Sequence, residues 1–162
     1  MITIRPALAA DAALIQQLAH ATWYPTYASV LSQEQIDFML AQSYTVEALQ
    51  QAMKDGVCFY LIVEEATALG FMALSKHPTR LRIDKLYVLP ETQGKGLGRK
   101  LIDFAASEAL RQGLTLLELN VNRYNQAYHF YLKQGFKVVE SVDIPYYQFV
   151  LNDYIMQKTL IA

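Results

Sequence analysis

Two rhythms of apolar and polar positions divide the chain. Ile2 to Arg5 reads as a short strand closed by Pro6, after which Leu14, Ile15 and Leu18 fall on one face of a helix. Asp11 is the expected cap of that helix, and Pro25 within "TWYPTY" its expected end. A second helical region opens at "SQEQIDFML", where Ser32 and Gln35 have the spacing of a capping box. Thr45 can cap a further stretch through Met53, so this region is expected to break in the middle. The runs "VCFYLIVEE", "ALGFMALSK" and "LRIDKLYVL" are rich in β-branched and aromatic residues, and short polar turns separate them, which predicts an antiparallel meander. Helical spacing returns from Leu97 to Gln112, with Gly113 as the stop. A strand, "LTLLELNV", leads to a helix, "NQAYHFYLKQ", between Asn125 and Gly135, and "FKVVESV" and "YQFVLNDYIMQK" are the last strands. The order βααβββαβαββ implies an α/β (α+β) fold: a mixed, mostly antiparallel sheet of about seven strands flanked by helices.

Composition narrows the partners. No repeat, linker or low-complexity tract interrupts the 162 residues, so residues 1–162 are expected to form a single domain. Fourteen Lys and Arg against fifteen Asp and Glu leave no basic footprint for nucleic acid. The start "MITIRPAL" lacks a signal-like apolar core, and no run reaches the ~20 apolar residues of a membrane span, so a cytoplasmic, membrane-free protein is expected. Cys58, the only cysteine, cannot form an internal disulfide, and within its apolar run it is expected to be a buried, reduced thiol.

The segment "ETQGKGLGRKL" sets Gly94, Gly96 and Gly98 where a strand gives way to a helix. Glycine costs about 1 kcal/mol in a helix interior, so the cluster needs a turn or a close approach to the backbone. Free backbone N–H groups at a positive helix end, flanked by Lys95 and Arg99, suit a phosphate. No Ser or Thr follows Lys95 to hold Mg²⁺, and Arg99 stands where a dinucleotide fingerprint needs its third glycine, which argues against a nucleotide-binding protein.

The stretch "LYVLPETQGKGLGRKLI" resembles the acetyl-CoA motif of the GNAT superfamily of N-acetyltransferases, with Gln93, Gly96 and Gly98 on its Q/R-x-x-G-x-G/A core. The likeness extends from "ITIRPALAADAALI" to "DYIMQK" and implies a GNAT-like fold. It implies further that the loop of Gln93, Gly94, Lys95, Gly96, Leu97, Gly98 and Arg99 holds the CoA pyrophosphate. Leu86, Tyr87 and Val88 would pair with the pantetheine and acetyl groups, and donors near Val88 would polarise the thioester carbonyl. Asn125 and Tyr131 match the family's cofactor-contacting asparagine and its tyrosine at the sulfur. Asn125 also suits a helix cap, and Tyr131 a core ring. No metal is implied.

The acceptor would be an amine, whose ammonium form must lose a proton before attack. Asp84 and Glu118 are the carboxylates weighed as bases, each also readable as an exposed surface acid, and His20 and His77 are the imidazoles weighed beside them. Relatives often carry an acid where this chain has Lys85 or Asn120, which leaves the base unassigned. Trp23, Tyr24 and Tyr27, with Tyr146 and Tyr147 of "IPYYQF", fall in regions that frame the acceptor in this superfamily. Tyrosine clusters also suit a protein interface, including that of a homodimer. The expected reaction is direct transfer of acetyl to a primary amine of a small molecule or peptide; the alternative is a non-catalytic acyl-CoA-binding module.

Overall fold

The computed structural model describes residues 1–161. A seven-stranded sheet runs in the order β1-β2-β3-β4-β5-β7-β6. Its strands are β1 (Ile2–Pro6), β2 (Cys58–Glu64), β3 (Thr67–Lys76), β4 (Leu81–Val88), β5 (Leu116–Asn122), β6 (Lys137–Tyr146) and β7 (Phe149–Thr159). Helices α1 (Ala12–Tyr27), α2 (Gln33–Ser43) and α3 (Val46–Lys54) pack on one face, α4 (Leu97–Arg111) and α5 (Ala127–Lys133) on the other. Strand β3 shows why two cores form: Phe71 and Ala73 point to the α1–α3 side, Met72 and Leu74 to the α4–α5 side, and all four are buried.

The predicted element order is observed, including the break between α2 and α3. Ser32 Oγ accepts from the Gln35 N–H at 3.1 Å and Thr45 Oγ1 from the Ala48 N–H at 3.0 Å, so each helix has its own cap. Two boundaries differ from expectation. α1 runs through Pro25 to Tyr27: proline removes one amide donor, but Ala28 N–H still reaches the Tyr24 carbonyl at 2.9 Å, and Trp23 and Tyr27 pack ring on ring at 4.5 Å. Asp11 does not cap α1. Its carboxylate turns back to accept from the Leu8 N–H at 2.8 Å and from Arg5 at 3.0 Å, closing a short 3-10 turn instead. Cys58, expected to be buried, is exposed at the start of β2.

One irregularity positions the site. All neighbouring strands are antiparallel except β4 and β5, which α4 connects in parallel. Ala73 pairs with Lys85 but Leu74 with Ile83, so Asp84 is an extra residue bulged out of β4. A bulge bends its strand. β4 and β5 therefore pair only over Leu81–Ile83 and Leu117–Leu119, then part, leaving the β5-facing edge of residues 84–88 without a strand partner.

Candidate active site

A cleft of about 880 Å³ opens where β4 and β5 part. The end of α1, the outer half of β4, the start of α4, the end of β5 and the start of α5 wall it. The glycine loop lies at its α4 side. Gly94 (φ +89°) and Gly96 (φ +71°) adopt left-handed backbone, which glycine accepts without strain, and a Cβ on either would meet open space. Gly96 is the residue before α4, and the first bond into the helix is Lys100 N–H to the Gly96 carbonyl at 3.1 Å. The N–H groups of Gly94, Gly96, Leu97, Gly98 and Arg99 find no backbone acceptor among the described residues. Those of Gln93 and Lys95 close turns onto Pro90 and Thr92 at 3.3 Å, so they are engaged internally. Gly98 serves packing as well. A Cβ there would stand 2.9 Å from the Phe130 ring, so its absence lets α5 press against α4. Lys95 Nζ pairs with Glu64 at 3.1 Å and Arg99 with Asp103 at 3.9 Å, both exposed. An open cradle of unpaired N–H groups at a helix start fits a pyrophosphate.

Aromatic residues line the opposite wall. Tyr27 and Tyr87 share a hydroxyl hydrogen bond of 2.8 Å, and Trp23 packs against Tyr27, Tyr44 and Tyr87. Burial pushes the Tyr27 hydroxyl up to about 12, against the opposing effect of the Tyr87 bond. Tyr131, projecting from α5, lines the cleft with 8% of its surface exposed, and burial raises its hydroxyl well above the usual phenol range. Leu86, Tyr87, Val88 and Asn125 also line the cleft. Asn125 Oδ1 accepts from the Ala127 N–H at 3.0 Å, so the side chain supports the start of α5 as well. Of the five aromatic residues proposed for the acceptor, only Trp23 and Tyr27 line the cleft. Tyr24 bonds Asp37, and Tyr146 and Tyr147 pack around Phe38 at the β6–β7 turn.

The carboxylates sort by environment. Glu118 is not a surface acid: it is 6% exposed and bonded by Arg80, Arg82 and Gln157. Burial alone would raise its carboxyl, but those three partners outweigh burial and hold it below the usual range. It is held in a structural network, whereas Asp84 lines the cleft and accepts from Ser75 at 2.9 Å. His20 is exposed and, like His77, is not among the cleft-lining residues. Two charged residues that the sequence did not single out for the site do line the cleft. Asp153 of β7 accepts from Asn120 Nδ2 at 3.3 Å, and Asn120 accepts from Arg82 at 2.8 Å; burial raises the Asp153 carboxyl. Lys85 of β4 places its ammonium 4.7 Å above the Tyr44 ring, and burial lowers its pKa against the pull of Asp84. The available signal was charge within largely apolar strands, at "IDKLYVL" and "VLNDYIM".

The sheet thus splits beside the open start of α4, with the buried Tyr131 lining the gap. Residues 27–144 match the acetyltransferase (GNAT) domain family, and the chain belongs to it. The chain is 28% identical to the spermidine N(1)-acetyltransferase of Thermoplasma acidophilum, over 97% of this chain and 96% of that one. It is 32% identical to a peptidyl-lysine N-acetyltransferase of Escherichia coli, covering 67% and 69% of the two. The crystal structure of PaiA N-acetyltransferase from Thermoplasma acidophilum in complex with coenzyme A superposes with a TM-score of 0.87 at 28% identity, over 98% of this chain and 99% of that one. The protein is an acetyl-CoA-dependent N-acetyltransferase.

Proposed function

We propose that this cleft transfers acetyl directly from acetyl-CoA to a primary amine, with Tyr131 and Asp153 handling the protons. Acetyl-CoA supplies the activated acetyl group. The N–H groups of Gly94, Gly96, Leu97, Gly98 and Arg99 hold its pyrophosphate, and the unpartnered edge of β4 at Leu86, Tyr87 and Val88 orients the extended arm. The Asp153 carboxylate, anchored through Asn120 and Arg82, holds the acceptor's ammonium and takes its proton, directly or through one water. The Tyr131 hydroxyl, kept protonated by burial, gives its proton to the departing sulfur.

The observation that carries this reading is the parting of β4 from β5 directly beside the open N–H cradle. The relatives that act on spermidine and on peptidyl lysine support an amine acceptor. The test is coenzyme A release with a panel of amines, followed by the same assay on Asp153→Asn. Loss of kcat/KM by about a hundredfold with unchanged acetyl-CoA affinity is expected. An unchanged rate would remove Asp153 from the proton path.

A further inference from the structure

The cleft that receives the amine is electrostatically two-ended. At the β7 end, Asp153 has one oxygen bonded to Asn120 and no other side-chain donor among the described residues; Arg82 and Arg123 act on it at longer range, and neither forms an ion pair with its carboxylate. At the α2–β4 end the unpaired group is a cation, which the Asp84 carboxylate, bonded to Ser75, attracts without pairing with it. Lys85 forms no hydrogen bond or ion pair among the described residues, and its ammonium is held over the Tyr44 ring. Trp23 packs on the same ring at 5.6 Å, and its buried indole N–H meets no hydrogen-bond partner among the described residues. A partly buried cation without an ion-pair partner is costly, and Lys85 and Asp153 form no ion pair with each other.

We infer that the acceptor is a zwitterion, an amine that also carries a carboxylate, phosphonate or similar anion, with its ammonium toward Asp153 and its anion toward Lys85. This inference rests on the proposed amine acetylation and narrows the acceptor class. A diamine or polyamine would satisfy Asp153 but would set its second ammonium against Lys85. A neutral alkyl amine would leave Lys85 unpaired. Selection of this kind combines an attractive contact with the rejection of a like charge.

The test compares kcat/KM for γ-aminobutyrate, aminoethylphosphonate, n-butylamine and putrescine in wild type, Lys85→Met and Lys85→Glu. Wild type is expected to favour the two zwitterions over putrescine by at least about tenfold. Lys85→Met should erase that preference, and Lys85→Glu should turn it toward putrescine. Acetyl-CoA affinity by calorimetry should stay unchanged in both variants. A wild type that prefers putrescine or n-butylamine overturns the inference, as does a preference that survives in Lys85→Met. Mass spectrometry that finds the acetyl group on Lys85 itself also overturns it, since the lysine would then be an acceptor. If acetyl-CoA binds and no amine of any charge turns over, the amine-acetylation reading fails and this inference with it. Turnover without charge preference sinks the inference alone.

Discussion

Burial makes the Tyr131 hydroxyl hard to deprotonate, and that property fits it to donate a proton rather than accept one. Replacing it by phenylalanine keeps the ring that packs between Phe130 and Phe136 and removes only the donor. Tyr131→Phe is therefore expected to lower kcat at least about tenfold with little change in acetyl-CoA affinity, checked by steady-state rates and calorimetry across pH. The glycines should separate by the part each plays. Asp at position 96 can adopt the left-handed backbone and would place a carboxylate beside the free N–H groups, so Gly96→Asp should weaken acetyl-CoA binding severely in a folded protein. Gly98→Ala instead meets Phe130 and should cost about 1–3 kcal/mol of stability, read by urea unfolding. The packing role of Gly98 is not legible from sequence alone, because a Cβ clash with a distant helix leaves no local trace. Tyr131 and Gly96 each stand in a local motif and could be named. Lys85 and Asp153 come from strands far apart in the chain, and a lone charge on a strand reads as surface until the sheet is assembled.

At the scale of elements, apolar periodicity carried most of the fold, because each helix and strand buries a face of its own. The caps at Ser32 and Thr45 were readable for the same local reason. Pro25 was misleading: ring packing of Trp23 and Tyr27 outweighs one missing hydrogen bond. The bulge at Asp84 was invisible, since pairing register is a property of two strands. Gly70 of β3 shows how closely the neighbouring backbone comes. A Cβ there would lie 2.5 Å from the Tyr87 carbonyl oxygen, a contact that requires β3 and β4 to move apart. Gly70→Ala is expected to destabilise the protein by about 1–3 kcal/mol and to weaken acetyl-CoA binding by displacing the free edge of β4. Urea unfolding and calorimetry on the same variant measure the two effects; normal stability with normal binding would show that the strands yield freely.

At the scale of the whole molecule, the Arg80–Arg82–Gln157 enclosure of Glu118 joins β4, β5 and β7 and their approaches into one polar cluster. The folded carboxyl is held below its unfolded pKa, so its contribution to stability is complete above that unfolded value, near pH 4–5. It is lost as pH falls through the lower, folded value. Wild type should thus lose more stability than Glu118→Gln between about pH 5 and pH 3, in denaturant titrations at a series of pH values. Parallel loss in both proteins would mean that acid unfolding starts elsewhere. The same region has a mechanical consequence. Only three residue pairs stitch β1–β4 to the β5–β7–β6 half of the sheet, so the protein carries a short seam across its middle. A long, thin molecule lying in the gap acts as a removable stitch: at a hundred times its Kd it adds about 2.7 kcal/mol against unfolding. Amide exchange in residues 84–88 and 120–122 should slow together on binding, since closing one seam fastens both sides.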